Sequence, residues 1–318
     1  MSKLYIAMYH YVRDLKNSRY PEIKGMDISV FKQQIAFFKE KFHPVTIEDV
    51  IEAYEVGKDL PENALLLTFD DGYIDHFTNV FPILQENRMQ GSFFIPGKAF
   101  TENVLLDVNK VHFVLASAPI DELYEAVLKY VDGVVKNNEC DLPSVEELVN
   151  QYAIANRFDS KEVIFVKRML QTVLPEEIRN RITSELFAKF VGVEERKFAK
   201  ELYVNLDQLK CMKRNGMYIG LHGYDHYWLG NLTKEKMQAD IDASLESLSD
   251  VVDENSFILN YPYGNYNDDV LDYLRKKGCK LGMTTEVRLA DISSDDRLLL
   301  PRFDCNDFPP KSNRYKEK

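Results

Sequence analysis

The chain has 318 residues, with 40 basic against 51 acidic side chains and a net charge of -11, a balance that repels nucleic acid and anionic membrane surfaces overall. Its 45% apolar content can build a packed core, while 14 Gly and 12 Pro are too few for a low-complexity or collagenous chain. No run approaches the roughly 18 uninterrupted apolar residues of a membrane helix, and residues 1–15 lack a signal-peptide pattern, so no transmembrane segment and a cytoplasmic location are the default expectations. Cys140, Cys211, Cys279 and Cys305 are widely spaced with no C-x-x-C pair, which reads as four buried free thiols.

In chain order, apolar runs at 4–9, 64–69, 92–96, 217–221, 257–259 and 298–301 predict buried strands. Helical spacing links Phe31, Ile35, Phe38 and Phe42, and later Met237, Ile241, Leu245 and Leu248. Asn267 before an acidic pair, an apolar face through Leu271 and Leu274, and Gly278 at the end read as a capped helix with a C-terminal stop. Strand followed by helix, repeated, predicts an α/β fold with a largely parallel sheet. Residues 101–200 break that rhythm. They hold several helical patterns, including a capping box at Ser144 and Glu147, and predict a helical insertion with an exposed connection at 132–141.

The C-terminal ends of parallel strands converge on the active site of a barrel or open α/β sheet, and here those ends are chemically loaded. His10 follows the first run, Asp70-Asp71-Gly72 the second, His222-Gly223-Tyr224-Asp225-His226 the fourth, Asn260-Tyr261-Pro262-Tyr263-Gly264 the fifth and Arg302-Phe303-Asp304 the last. Gly72 allows a turn with positive φ, so one aspartate can ligate a cation while its neighbour reaches a water on it. The competing reading makes Asp71-Gly72 a plain turn and Asp70 a helix cap. His222 and His226, four apart, have the spacing of metal ligands or of two surface histidines. Together with one aspartate they make a two-His, one-carboxylate set that suits a catalytic Zn²⁺ or another transition metal.

Thr68-Phe69-Asp70-Asp71-Gly72 followed by the paired histidines resembles the polysaccharide deacetylases of carbohydrate esterase family four, over about 1–100 and 201–318. The resemblance implies a distorted TIM-like (β/α) barrel of about seven parallel strands, with 101–200 as an insertion outside it. It implies Asp70 as general base, and Asp71, His222 and His226 as ligands of one divalent ion, Zn²⁺ with Co²⁺, Ni²⁺ or Fe²⁺ as alternatives. Gly223 stands where the family usually has Ser or Thr. The third family motif, normally Arg-x-Pro-aromatic-Gly, reads here from Asn260 to Gly264 and implies Asn260, Pro262 and Tyr263 as groove residues. Arg302 is the candidate to replace the missing arginine, against a reading in which it pairs with Asp304. The family's C-terminal histidine is also missing. In the poly-N-acetylglucosamine deacetylase subgroup an N-terminal Tyr-His takes that place, and Tyr9-His10 resembles it, implying His10 as general acid rather than a structural histidine.

The implied activity is hydrolysis of an N-acetyl group on an amino sugar, polymeric, lipid-linked or nucleotide-linked. Two alternatives stay open: a catalytically degenerate saccharide- or partner-binding protein, and a metal amidase acting on a small amide. Residues 101–200 would cap the site, set specificity or form a homodimer interface. His76 reads as a helix-face residue, and His43 and His112 receive no role.

Overall fold

The computed structural model describes residues 2–156 and 159–317. The chain divides into two compact units. The first comprises Met1–Leu15, Gly25–Val104 and Ala199–Lys318, and the second Lys16–Lys24 and Leu105–Phe198. Lys16–Lys24, inside the 1–100 segment drawn from the sequence, groups with the second unit.

The first unit is built on a curled, mostly parallel sheet. Seven of its nine strands are parallel and frame the site, β1 (Lys3–Tyr9), β2 (Ala64–Asp70), β3 (Ser92–Ile95), β4 (Tyr218–Leu221), β5 (Ile258–Asn260), β6 (Leu281–Met283) and β7 (Phe303–Asp304), while the two-residue strands His43–Pro44, parallel to β2, and Ala290–Asp291, antiparallel to β1, complete it. Neighbours β1 through β6 pair in parallel in that order, and β7 pairs in parallel with β1 through Ala7 and Phe303. Leu300 bridges Met283 of β6 just before β7 begins, so the segment leading into β7 links the two ends of the sheet. All seven residues of β2 are buried, as expected of a central strand covered on both faces. The strand expected at 298–301 is only that single bridge, because Pro301 has no N–H to give to a ladder, and pairing resumes at Phe303.

Alternation along the strands separates two cores. Ala7, Tyr9, Leu65, Leu67, Phe69, Phe93, Ile95, Ile219, Leu221 and Leu259 pack against helices such as Ile28–Lys41 and Lys234–Ser247. Leu4, Ile6, Ala64, Leu66, Phe94 and Ile258 form the other core, with Leu281, Met283 and Leu300. Side chains two apart share a face. Asp70, His222 and Asn260 therefore continue the second set past Leu66, Gly220 and Ile258, and His10 continues it past Ile6. Period two alone delivers these polar groups to the same end of the barrel interior.

Helix ends follow the sequence cues. Thr46 and Asp49 form a capping box for Ile47–Val56, Asn267 accepts the Val270 N–H, and Gly278 closes Asp268–Lys277 in the left-handed conformation. The described residues of the second unit form helices and no strand. Helix Ile120–Lys136 buries Val131 and Val134, so the first half of the connection expected at 132–141 is helical. Cys279 and Cys305 are buried, but Cys140 and Cys211 are half-exposed, which corrects the reading of four buried thiols; all are free. No helix among the described residues is long and apolar enough to cross a membrane.

Candidate metal centre and its carboxylate neighbour

β2 ends at Asp70, and the chain then turns sharply, with φ of 78° at Asp71 and 64° at Gly72. The left-handed turn is the reason the two consecutive carboxylates serve one site instead of opposite faces. Asp71 is a non-glycine residue in that region, as are His226 (φ 57°) and Tyr263 (φ 58°). Such residues cost of order 1–3 kcal/mol each. Here all three sit around one centre.

Asp71 Oδ1 lies 3.3 Å from His222 Nε2 and 3.2 Å from His226 Nε2. The three side chains are buried, and their ligand atoms lie within 4.8 Å of one another. Among the described residues no hydrogen bond satisfies Asp71 Oδ1. An orphaned carboxylate oxygen facing two imidazole nitrogens is a donor set that could hold a cation. His222 Nδ1 is 2.8 Å from the Asn260 carbonyl, to which it can only donate. That bond leaves the Nε2 lone pair free to ligate, as second partners do for metal-binding histidines. The other oxygen of Asp71 accepts from Tyr73 Oη at 2.6 Å, and the Tyr73 ring stacks on Tyr11 at 3.9 Å. Burial opposes ionisation of Asp71, but His222 and His226, when they carry protons on Nε2, outweigh it and hold the carboxyl well below the usual range.

Asp70 is held differently. Asn260 Nδ2 donates to its Oδ1 at 2.7 Å, and Arg302 Nη1 reaches both oxygens at 3.0 and 2.8 Å. Arg302 in turn donates through Nε to the Thr284 carbonyl. Burial raises the Asp70 pKa, and Arg302, followed by His222 and His10, lowers it further than burial lifts it, so the carboxylate is ionised. Arg302 pairs with Asp70 rather than Asp304, which caps a short turn through the Asn306 N–H. Asn260 is fully buried, with its amide engaged on Asp70.

The loop carrying His222 and His226 is pinned from beneath by Asp240, whose carboxylate accepts from Tyr224 N–H at 2.8 Å and Asp225 N–H at 3.1 Å. Gly223 has φ of 69°, and a Cβ there would stand 3.1 Å from Asp240 Oδ1. The carboxylate of a neighbouring helix thus fills the space that a side chain at position 223 would enter. Pro262 is buried, while the Tyr263 ring stacks on Trp228 at 4.5 Å and meets His226 edge-on at 4.8 Å. His10 is half-buried just past β1, close enough to act electrostatically on both aspartates. Two participants carry no clear signal in the sequence. Tyr73 stands out there only as an aromatic near the motif, and His76 is fully buried, with Nε2 donating to the His10 carbonyl at 3.0 Å.

The polysaccharide deacetylase family model matches residues 57–129 and 181–282, more than half of the chain. The chain belongs to the polysaccharide deacetylase family. Over 58 residues it is 50% identical to the poly-beta-1,6-N-acetyl-D-glucosamine N-deacetylase of Escherichia coli (strain K12). That match takes in 18% of this chain and 9% of the relative's length. The fold is similar to that of the Streptococcus pyogenes deacetylase PplD in complex with acetate, at 17% identity and a TM-score of 0.59, covering 99% and 96% of the two chains. It is also similar to IcaB from Ammonifex degensii, at 16% identity and a TM-score of 0.57, covering 100% and 98%. At these identities the two structures speak to the fold of this family member, a curled, mostly parallel deacetylase barrel.

Proposed function

We propose that this chain is a metal-dependent deacetylase that removes an N-acetyl group from an amino sugar within a glycan or glycan precursor. The observation that carries the reading is the pairing of two differently held aspartates. Asp71 faces two histidines with an unsatisfied oxygen, and Asp70 beside it is ionised and gripped by Arg302 and Asn260. Asp71, His222 and His226 would hold a divalent ion, Zn²⁺ by donor set, with Co²⁺, Ni²⁺ and Fe²⁺ compatible with the same ligands. When bound, such an ion acidifies water and polarises a carbonyl.

The residues of the chain supply the rest. Asp70 accepts a proton from the attacking water, and the fixed contacts from Arg302 and Asn260 keep its carboxylate oriented during the transfer. His10 gives a proton to the leaving amine, which otherwise departs poorly from the tetrahedral species. Tyr263, its ring braced by Trp228 and His226, offers an aromatic wall beside the ligands for a sugar ring. The similarity of the 58-residue segment to the E. coli N-deacetylase supports a β-1,6-linked N-acetylglucosamine oligomer as the first substrate to try. Incubation of zinc-loaded protein with that oligomer, with chitin oligomers and with a nucleotide-linked N-acetyl sugar should release acetate from at least one. No acetate from any of them, with zinc bound, contradicts the proposal.

A further inference from the structure

The turn after the aspartate pair grips the backbone at His10 and at the two residues that follow Tyr11. Asp75 Oδ2 accepts from the Val12 N–H at 3.2 Å, His76 Nε2 donates to the His10 carbonyl at 3.0 Å, and Asn79 Nδ2 donates to the Val12 carbonyl at 2.8 Å. Arg13 closes the same grip, its Nε and Nη2 lying 2.7 and 3.0 Å from the two Asp75 oxygens. Residues His76–Val80 form a π-helical turn, a widened geometry found often near functional sites. His76 itself sits in an aromatic box, 5.7 Å from the Phe69 and Tyr73 rings and 5.5 Å from Phe93, with Nδ1 lacking any hydrogen-bond partner among the described residues. A phenylalanine would suit such a box without leaving a buried nitrogen unpaired. What histidine adds is the single N–H that holds the His10 carbonyl.

We propose that this turn is a clamp that positions His10, and that His76 is its principal positioning residue. The inference rests on the reading of His10 as the proton donor. Side chains following Asp70 and Asp71 by only a few residues thereby set where the donor stands relative to the base, and one folded turn fixes both sides of the reaction. A misplacement of about 1 Å in such an arrangement costs up to about 100-fold.

The test compares an amide with an ester. An N-acetylglucosamine oligomer needs its leaving amine protonated, whereas 4-nitrophenyl acetate expels a phenolate that needs no proton. The ratio of the two kcat/KM values is measured for wild type, His10→Ala, His76→Phe, His76→Gln and Asn79→Ala, at equal zinc content. His76→Phe should lower the amide-to-ester ratio about 10-fold or more, and His76→Gln, which keeps a donor near the Nε2 position, should recover most of it. A wild-type ratio in His76→Phe overturns the clamp even if His10→Ala lowers the ratio. A wild-type ratio in His10→Ala instead overturns the donor reading beneath it. Should His76→Phe fail to fold, Asn79→Ala decides: a lowered ratio supports the clamp and an unchanged one overturns it.

Discussion

Arg302 Nη1 lies 2.8 Å from Asp70 Oδ2, and both side chains are almost wholly buried. The two residues come from opposite ends of the chain, and the strands they adjoin flank β1. The contact matters because a buried carboxylate is otherwise driven towards its neutral, non-basic form. Arg302 and Asn260 therefore hold the Asp70 carboxylate from two different strand ends.

Removing that cation should change the pH profile in a defined direction. Arg302 is the leading influence that lowers the Asp70 pKa against burial. In Arg302→Met the carboxyl pKa rises, the ionised base is populated only at higher pH, and the acidic limb of kcat/KM should move up by about 1 pH unit or more. Loss of one partner of a buried pair should also cost about 3–5 kcal/mol in denaturant unfolding. Zinc content should not change, since no ligand is touched.

Tyr73 should act on the metal rather than the proton. Its hydroxyl occupies Asp71 Oδ2 and leaves Oδ1 facing the histidines. Tyr73→Phe frees the carboxylate to rotate, and zinc affinity, read by competition with a chelator, should weaken about 10- to 100-fold. An unchanged affinity would mean that the phenol does not orient the ligand.

The loop at Gly223 offers a prediction against family usage. Gly223→Ser restores the residue type the family favours, yet here it forces a side chain to φ of 69° with its Cβ 3.1 Å from Asp240 Oδ1. Thermal or denaturant unfolding should show a loss of about 1–2 kcal/mol. A stabilised variant would show that the loop has room for a side chain beside Asp240.

His76 gives the protein an acid-sensitive element. Burial lowers its pKa from 6.5 to about 4. The unfolded chain takes up this proton as pH falls below 6.5 and the folded chain does not until about 4. Stability from this group is complete above pH 6.5, falls through the interval by about 3 kcal/mol, and is flat below it. His76→Phe should flatten that part of the stability curve, measured by urea unfolding at several pH values.

Legibility in the sequence follows distance along the chain. That Asp70, Asp71, His222 and His226 come together can be read, because the strand, the turn and the four-residue spacing of the histidines are all local. Asn260 falls at the right strand end but reads as a groove residue, since no local signal says that its amide turns to a carboxylate 190 residues away. β6 is three residues, Leu281–Met283, centred on a glycine, too short to show a period. His76 is hidden by its position in a helical pattern; the aromatic residues at 69, 73 and 93 that box it in become neighbours only when β2 and β3 pair. The grouping of Lys16–Lys24 with the second unit rests on long-range packing that leaves no trace in composition or spacing.

The most direct test is acetate release from a β-1,6-linked N-acetylglucosamine oligomer by wild type and Asp70→Asn, each carrying one zinc per chain by elemental analysis. Wild type should release acetate, and the variant should lose at least about 100-fold of that activity at unchanged zinc content. Equal release by the two proteins, or loss of zinc with Asp70 alone, would contradict the division of labour between Asp70 and Asp71.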